Sequence, residues 1–380
     1  MISLVGWCLL LWIGGVTLVL LAELWLGLLP QHAAAVPTGS AGVAIIVPAF
    51  DEATIIGNHV TALLALEPAV RVLVVADNCS DDTAVIARAA GAEVIERRDP
   101  AHRGKGFALA FARDHLAAEP PDVVIVIDAD CSVDAASLAR LAFTASRHGR
   151  PVQAAYLMRP RRDRGALVAL SGFAFLVKNW VRQRGLARLG APAILTGSGM
   201  AFPWALFVSA PLASGDTVED LVLGVALARR GTPPVFLQDA IVWTEAANQQ
   251  ATHGQRSRWE QGFLATAIAQ APALIGSARP GLLWLGLHLL VPPLAMLVLW
   301  HLGVLAWLLL LPSPPVARAT ELALLAALLA GLGIAWLRQG RDWLSGAMLA
   351  AIPFYILWKL PIYAAAALGR KRAWNRTGRD

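Results

Sequence analysis

Hydropathy divides the chain into three. Residues 2–29 are apolar almost without a break. As a helix this run would be about 42 Å long, more than the roughly 30 Å of a bilayer's hydrocarbon core. No basic segment precedes it and it is too long for the apolar part of a signal peptide, so an uncleaved anchor is expected despite the small residues Ala33, Ala34 and Ala35. From Gly42 short β-branched runs alternate with helical periods. The pattern predicts strands at residues 43–47 (ended by Pro48), 71–76, 93–95 and 123–127, with helices at 53–66, 82–90 and 105–116. Further on it predicts a helix from Asp134 to about 147, a strand at 152–157, a turn at Gly197-Ser198-Gly199, a helix at 219–230, a strand near 235–237 and a helix from about Gln255.

Strands alternating with helices predict an α/β fold with a doubly wound sheet. The run 123–127 is continuous in apolar residues, as central parallel strands are. Ligands of such sheets bind outside the carboxyl ends of the strands. Glu52, Asp77, Asp128 and Asp130 all fall there.

Apolar stretches return at 281–311, 319–337 and 344–368, the first interrupted by Pro292-Pro293. Three crossings would put the basic tail Arg370-Lys371-Arg372 on the side opposite the central domain, against the positive-inside tendency. The last stretch, holding Pro353, Lys359 and Pro361, is therefore the one expected not to cross. The expected organisation is an anchor at 1–30, a cytoplasmic domain at 42–275, a membrane region of two or three crossings at 281–368 and a basic tail at 369–380.

Composition agrees, since 57% hydrophobic and 15% charged residues lie far from a soluble average. The net charge is +6, and eight of the basic residues gather within 159–188, interleaved with Phe173, Phe175 and Trp180. That segment reads as an amphipathic helix lying on anionic lipid, and the membrane spans argue against a nucleic-acid partner. Cys8, Cys79 and Cys131 show neither metal spacing nor an even disulfide set, which suits a reducing cytoplasm.

Chemistry-bearing residues follow in order. Asp128-Ala129-Asp130 places two carboxylates one residue apart at a strand end, where they can hold a hard divalent cation that bridges phosphate oxygens. Asp77 can accept hydrogen bonds from a base or ribose, although turn chemistry explains its neighbourhood equally well. Lys105 stands where a helix begins, and a lysine with free backbone N–H groups suits a phosphate. Thr217, with Asp220 three residues on, has the spacing of a capping box. Such a cap would also hold Asp220 rigidly enough to act as a general base. Gln255, Arg258 and Trp259 share one helix face, offering hydrogen bonds, a bidentate cation and a flat indole.

Together these residues resemble the membrane-embedded enzymes of glycosyltransferase family 2, including cellulose, hyaluronan and poly-N-acetylglucosamine synthases. The resemblance rests on Val47-Pro48-Ala49-Phe50-Asp51-Glu52, Asp77, Arg103-Gly104-Lys105-Gly106, Asp128-Ala129-Asp130, Glu219-Asp220 and Gln255 to Trp259, and covers roughly residues 42–265. It implies a glycosyltransferase A-type nucleotide-sugar domain between membrane helices, in a bacterial inner membrane. It further implies a UDP-sugar donor touched by Pro48, Glu52, Asp77, Lys105, Asp128 and Asp130. Mg²⁺ or Mn²⁺ would sit on Asp130 and Asp128, and Asp220 would be the base of an inverting displacement. Glu219, Gln255, Arg258 and Trp259 would bind pyrophosphate and a glycan acceptor, with partner subunits of a polysaccharide-synthesis machinery possible. Asp51 stands where that family often has Asn, and the membrane part is smaller than in cellulose synthase. Transfer of one sugar to a lipid, as in ceramide glucosyltransferases, is the alternative. A non-catalytic sugar-nucleotide-binding subunit is the reading of another class, and the intact Asp128, Asp130 and Asp220 argue against it.

Overall fold

The computed structural model describes residues 2–30, 41–66, 70–245 and 249–367, with the backbone alone at 2–3, 249–258 and 365–367. The elements run α1 (Ile2–Leu28), β1 (Val43–Ala49), α2 (Ile56–Leu66), β2 (Arg71–Asp77), α3 (Thr83–Ala89), β3 (Glu93–Arg97) and α4 (Lys105–Leu116). Then come β4 (Val123–Val126), β5 (Cys131–Val133), α5 (Ala135–His148), β6 (Val152–Met158) and α6 (Ala166–Leu176), continued by a π-helical turn (Val177–Arg182) into α7 (Gln183–Arg188). After β7 (Met200–Pro203), α8 (Trp204–Phe207), α9 (Glu219–Arg229) and β8 (Val235–Thr244), the chain is helical. It runs through α10 (Gln249–Ile275), α11 (Pro280–Leu290), α12 (Leu294–Leu310), α13 (Pro315–Ala335) and α14 (Ile352–Ala367). Two compact units interleave along the sequence. One comprises Met1–Pro30, Arg159–Ala191 and Ala246–Asp380, the other Gln31–Met158 and Pro192–Glu245.

The second unit holds an eight-stranded sheet in the order β3-β2-β1-β4-β7-β6-β8-β5. Strands β3, β2, β1 and β4 are parallel, and β4 is apolar and buried throughout, as a central parallel strand is. Beyond them the doubly wound expectation needs correction, because β7 runs antiparallel to both neighbours and β5 antiparallel to β8. Strand β8 is also far longer than expected. Its pairing with β6 jumps from Leu237 to Ile241, so a bulge carrying the polar Gln238 and Asp239 interrupts the alternation that would have revealed it. Helices α4 and α9 pack Leu109, Leu116, Leu223 and Leu227 into one core with Ile46, Leu73 and Val124 of the sheet. This packing carries Lys105, Glu219 and Asp220, at the heads of the two helices, to the sheet's carboxyl rim.

In the other unit α1 and α7 cross with their backbones touching. A Cβ added at Gly185 would lie 2.7 Å from Glu23 Cα, and one at Gly27 2.8 Å from the Val181 carbonyl carbon, so only glycine fits either place. Polar groups inside this apolar unit are paired. Fully buried Glu23 accepts from Arg182 Nε at 2.5 Å and bonds His288 Nδ1 at 2.8 Å. His301 joins Glu321 at 2.7 Å and Thr17 at 2.9 Å. Within the basic segment Arg159, Arg162, Arg164 and Lys178 are exposed, but two of the arginines do not face outward. Arg182 and Arg184 are buried, the latter donating to the Leu29 carbonyl at 2.7 Å.

Leu4–Leu28, Pro315–Gly340 and Gly346–Ala364 are long and apolar enough to cross a membrane, and α11 with α12, bent by 70°, counts as a fourth if the pair is one span. The last of these is the stretch expected not to cross. Its Lys359 is buried against Glu260, so that charge does not bear on crossing in the way an exposed one would.

Removing one partner of a buried ion pair leaves the other charge uncompensated. Arg182→Met should therefore cost roughly 3–5 kcal/mol in detergent unfolding, and adding Glu23→Leu should restore most of it. A double variant as unstable as the single would show that the stranded charge is not the cause.

Candidate active site

Lysine 105 opens α4 behind Gly104, whose φ of 134° needs glycine. Gly106, on the next step, lets the segment before α9 approach, since a Cβ there would meet the Ser214 carbonyl oxygen at 2.7 Å. The Lys105 ammonium donates to Asp128, just beyond β4, and to the Gly197 carbonyl at 2.7 Å. Burial pulls its pKa down, but Asp128, Glu219 and Asp220 outweigh burial and hold it above the ordinary lysine value. Gly197 (φ 88°) leaves the space in which these groups converge. A Cβ there would sit 3.3 Å from Asp220 Oδ2 and 3.5 Å from Lys105 Nζ.

Asp220 lies in the first turn of α9 and accepts from the Leu221 N–H at 2.8 Å. The capping box expected from Thr217 does not form. Val218 is the N-cap residue, with no side-chain cap bond, because the helix starts two residues past the threonine. Burial, then the charge of Asp220, pushes Glu219 up to about 8.

Asp130 accepts from Thr244 Oγ1 at 3.2 Å, on the strand that β5 pairs with. Asp128, Asp130 and Cys131 bring ligand atoms within 4.8 Å of one another. Burial drives the Cys131 thiol well above its usual value, so it stays protonated. Two carboxylates remain, and their hard oxygens fit Mg²⁺ or Mn²⁺.

Asp77 ends β2, two strands from Asp128 in the sheet order. It accepts from Arg97 at 2.7 Å and from Asn78 at 2.9 Å, and burial, outweighing Arg97, raises its pKa. Pro48 lies in β1 opposite Val75. Glu52 follows β1, donating its N–H to Thr83 Oγ1 at 2.8 Å. Asp51 and Asn78 are the non-glycine residues with positive φ, 53° and 55°, among the described residues. Short polar side chains tolerate that conformation. Asp51 then accepts from Ser80 N at 2.6 Å, tying the loops after β1 and β2 together. The side chains of Gln255 and Arg258 lie outside the described residues. Trp259, on α10 in the helical unit, packs 6.2 Å from Phe175.

A family model described as glycosyltransferase like family 2 matches residues 40–262. The chain belongs to that family. A 100-residue stretch, 26% of the chain, is 39% identical to uncharacterized glycosyltransferases of Mycobacterium tuberculosis and Mycobacterium bovis. The chain covers 41% of the length of those relatives. Among solved structures, a mannosyltransferase from Pyrobaculum calidifontis in complex with GDP-Man and Mn²⁺ matches 98% of this chain and 100% of its own, with TM-score 0.61 and 19% identity. That likeness is one of fold, and the sheet-bearing unit has the glycosyltransferase A-type architecture. Glucosyl-3-phosphoglycerate synthase from Mycobacterium tuberculosis, in complex with Mn²⁺, UDP and phosphoglyceric acid, matches 59% of this chain and 78% of its own, with TM-score 0.42 and 23% identity.

Two supporting residues, Gln153 and Arg97, escaped the sequence reading, and a third, Ser198, was expected there only as part of a turn. Gln153, fully buried in β6, accepts from Thr196 N at 2.9 Å and donates to the Ser198 carbonyl at 2.9 Å, pinning the turn that holds Gly197. Ser198 Oγ accepts from Asp128 N at 3.1 Å. Arg97 closes over Asp77 from β3. A lone glutamine inside an apolar strand was the signal available for the first.

A carboxyl whose folded pKa lies above its unfolded value binds more protons folded, so stability falls as pH rises between the two values. For Glu219 that window runs from the ordinary 4.5 to about 8. In metal-free protein the Tm should fall between pH 5 and pH 8, and Glu219→Gln should flatten the fall. Equal slopes in the two proteins would contradict the raised value.

Proposed function

We propose that the protein is a membrane-anchored, inverting hexosyltransferase that moves a sugar from a UDP-sugar to an acceptor hydroxyl. The observation that carries this reading is the convergence of Lys105, Asp128 and Asp220 on Gly197, with Asp130 beside Asp128, in a family 2 chain. The mannosyltransferase similar in fold, whose structure holds GDP-Man with Mn²⁺, supports a nucleotide-sugar donor and a divalent cation. The apolar helices suit an integral membrane protein with the sheet-bearing unit on the cytoplasmic face of a plasma membrane.

In this mechanism Asp77 and Glu52 hold the nucleoside, and Lys105 gives its charge to the diphosphate. A divalent cation on Asp128 and Asp130 would offset the charge that builds on the leaving group. Asp220 takes the proton of the acceptor hydroxyl as that oxygen bonds the anomeric carbon. The anomeric carbon–oxygen bond to the diphosphate breaks, UDP leaves with the electron pair and the configuration inverts. Glu219, raised by burial and by the charge of Asp220, stands beside it in the first turn of α9. Two acceptor classes suit such a transfer, a growing glycan and a lipid.

Detergent-purified protein with Mn²⁺ should transfer hexose from UDP-hexoses and release UDP. Asp220→Asn should lower that rate by roughly 10²–10⁴ while leaving UDP affinity within a few-fold. Equal rates for wild type and variant would remove Asp220 from the base role, and release of GDP from GDP-sugars alone would overturn the donor.

A further inference from the structure

Asp128 to Cys131 form a tight turn between β4 and β5, closed by the Cys131 N–H donating to the Asp128 carbonyl at 2.9 Å. The two carboxylates of this turn are held from different sides. Lys105, at the head of α4, pairs with Asp128, and Thr244, at the end of β8, donates to Asp130. Strand β5 leaves the turn at the edge of the sheet. Helix α2 packs against that strand.

His59 lies on α2, three residues past Ile56 and four before Leu63, so it flanks the face that those buried residues form with Val60. The residue is partly buried, and its Nε2 is fully so, yet that nitrogen makes no hydrogen bond of full geometry. A histidine on a solvated helix face would turn its ring nitrogens to water. Here the groups acting on the ring are Asp130, Asp128 and the backbone of Cys131. Burial pulls its pKa down against all three, so at neutral pH the ring is uncharged and carries one hydrogen.

A buried polar atom without a partner is costly, and native proteins keep few of them. A buried nitrogen also has no bulk water to turn to, so its partner must come from the protein. A carbonyl oxygen only accepts, so a ring nitrogen that serves the Cys131 carbonyl must be the one bearing hydrogen. Hydrogen bonds at a site are often long before the ligand arrives and tighten when it binds. Groups behind a metal ligand fix its direction, and losing one lowers metal affinity by roughly 10–100-fold.

We propose that His59 is a positioning residue for the divalent cation: with the cation bound, its Nε2–H donates to the Cys131 carbonyl and holds the Asp128–Asp130 turn from the side of α2. In this role His59 touches neither cation nor nucleotide. It acts through its N–H and not through charge. The proposal rests on the cation reading of Asp128 and Asp130, and adds a third support to those that Lys105 and Thr244 give.

Mn²⁺ binding to the full chain in detergent with UDP present, read from the electron paramagnetic resonance signal of free Mn²⁺, tests this with two kinds of substitution. His59→Leu keeps bulk and removes the N–H, and His59→Ala is a second donor-free variant should the leucine protein not fold. His59→Gln keeps an N–H near the place of Nε2. The donor-free variants should bind Mn²⁺ roughly tenfold more weakly than wild type, and His59→Gln should stay within about threefold of it. All should unfold at the wild-type Tm in excess chelator. Wild-type Mn²⁺ affinity in the donor-free variants would remove His59 from the site. Equal weakening in all three variants would show that the packing of the ring matters and its N–H does not, which also overturns the proposal. If the wild type itself takes up no Mn²⁺, with UDP or without, the cation reading fails and this proposal with it, a result distinct from wild-type binding that is indifferent to residue 59.

Discussion

The Lys105 ammonium is the contact on which the site depends. It bonds Asp128 at the end of β4 and the Gly197 carbonyl at once, and it sits in the field of Glu219 and Asp220 at the head of α9. Three elements distant in sequence are thereby tied at one point. Without that cation, carboxylates on two elements would face each other across a partly buried space, and like charges there repel. Glu219 already shows the strain, since burial and Asp220 keep it protonated far above a normal carboxyl. The same arrangement suits a diphosphate, which brings the negative charge that Lys105 would otherwise share with Asp128.

Glycine geometry makes this convergence possible. Gly104 and Gly106 flank the lysine and Gly197 and Gly199 flank Ser198, and at Gly199 a Cβ would collide with Val242 and Ala154 at 2.8 and 2.9 Å. The turn is then held from below by the buried Gln153 amide. In the helical unit the same device recurs where α1 meets α7 through Gly27 and Gly185, and Glu23 sits beside that crossing with Arg182 and His288 as partners.

Strand-end acids and the lysine at a helix start were legible because they follow local rules. A carboxylate after a continuous apolar run, or a cation after a glycine, announces its position. Long-range features were not legible. The antiparallel β7 and the bulged β8 depend on pairings across the sheet, and Gln238 and Asp239 hide the longer strand. The capping spacing at Thr217 misled because the segment before α9 is shaped by its approach to Gly106 rather than by its own side chains. Arg182 and Arg184 looked like a lipid-facing stripe because counting charges does not reveal a buried partner 159 residues away in sequence. A cleft of the helical unit draws on α6, α10, the α11–α12 break and α14, and no single motif announces it.

In the proposed transferase Asp128, Asp130 and Lys105 form one site for a metal-bound nucleoside diphosphate. Calorimetric titration of the wild-type protein with UDP, in Mn²⁺ and then in excess chelator, tests it most directly. Binding in Mn²⁺ should weaken at least roughly tenfold when the metal is withdrawn. Equal affinity in both conditions, or no binding in either, would contradict it.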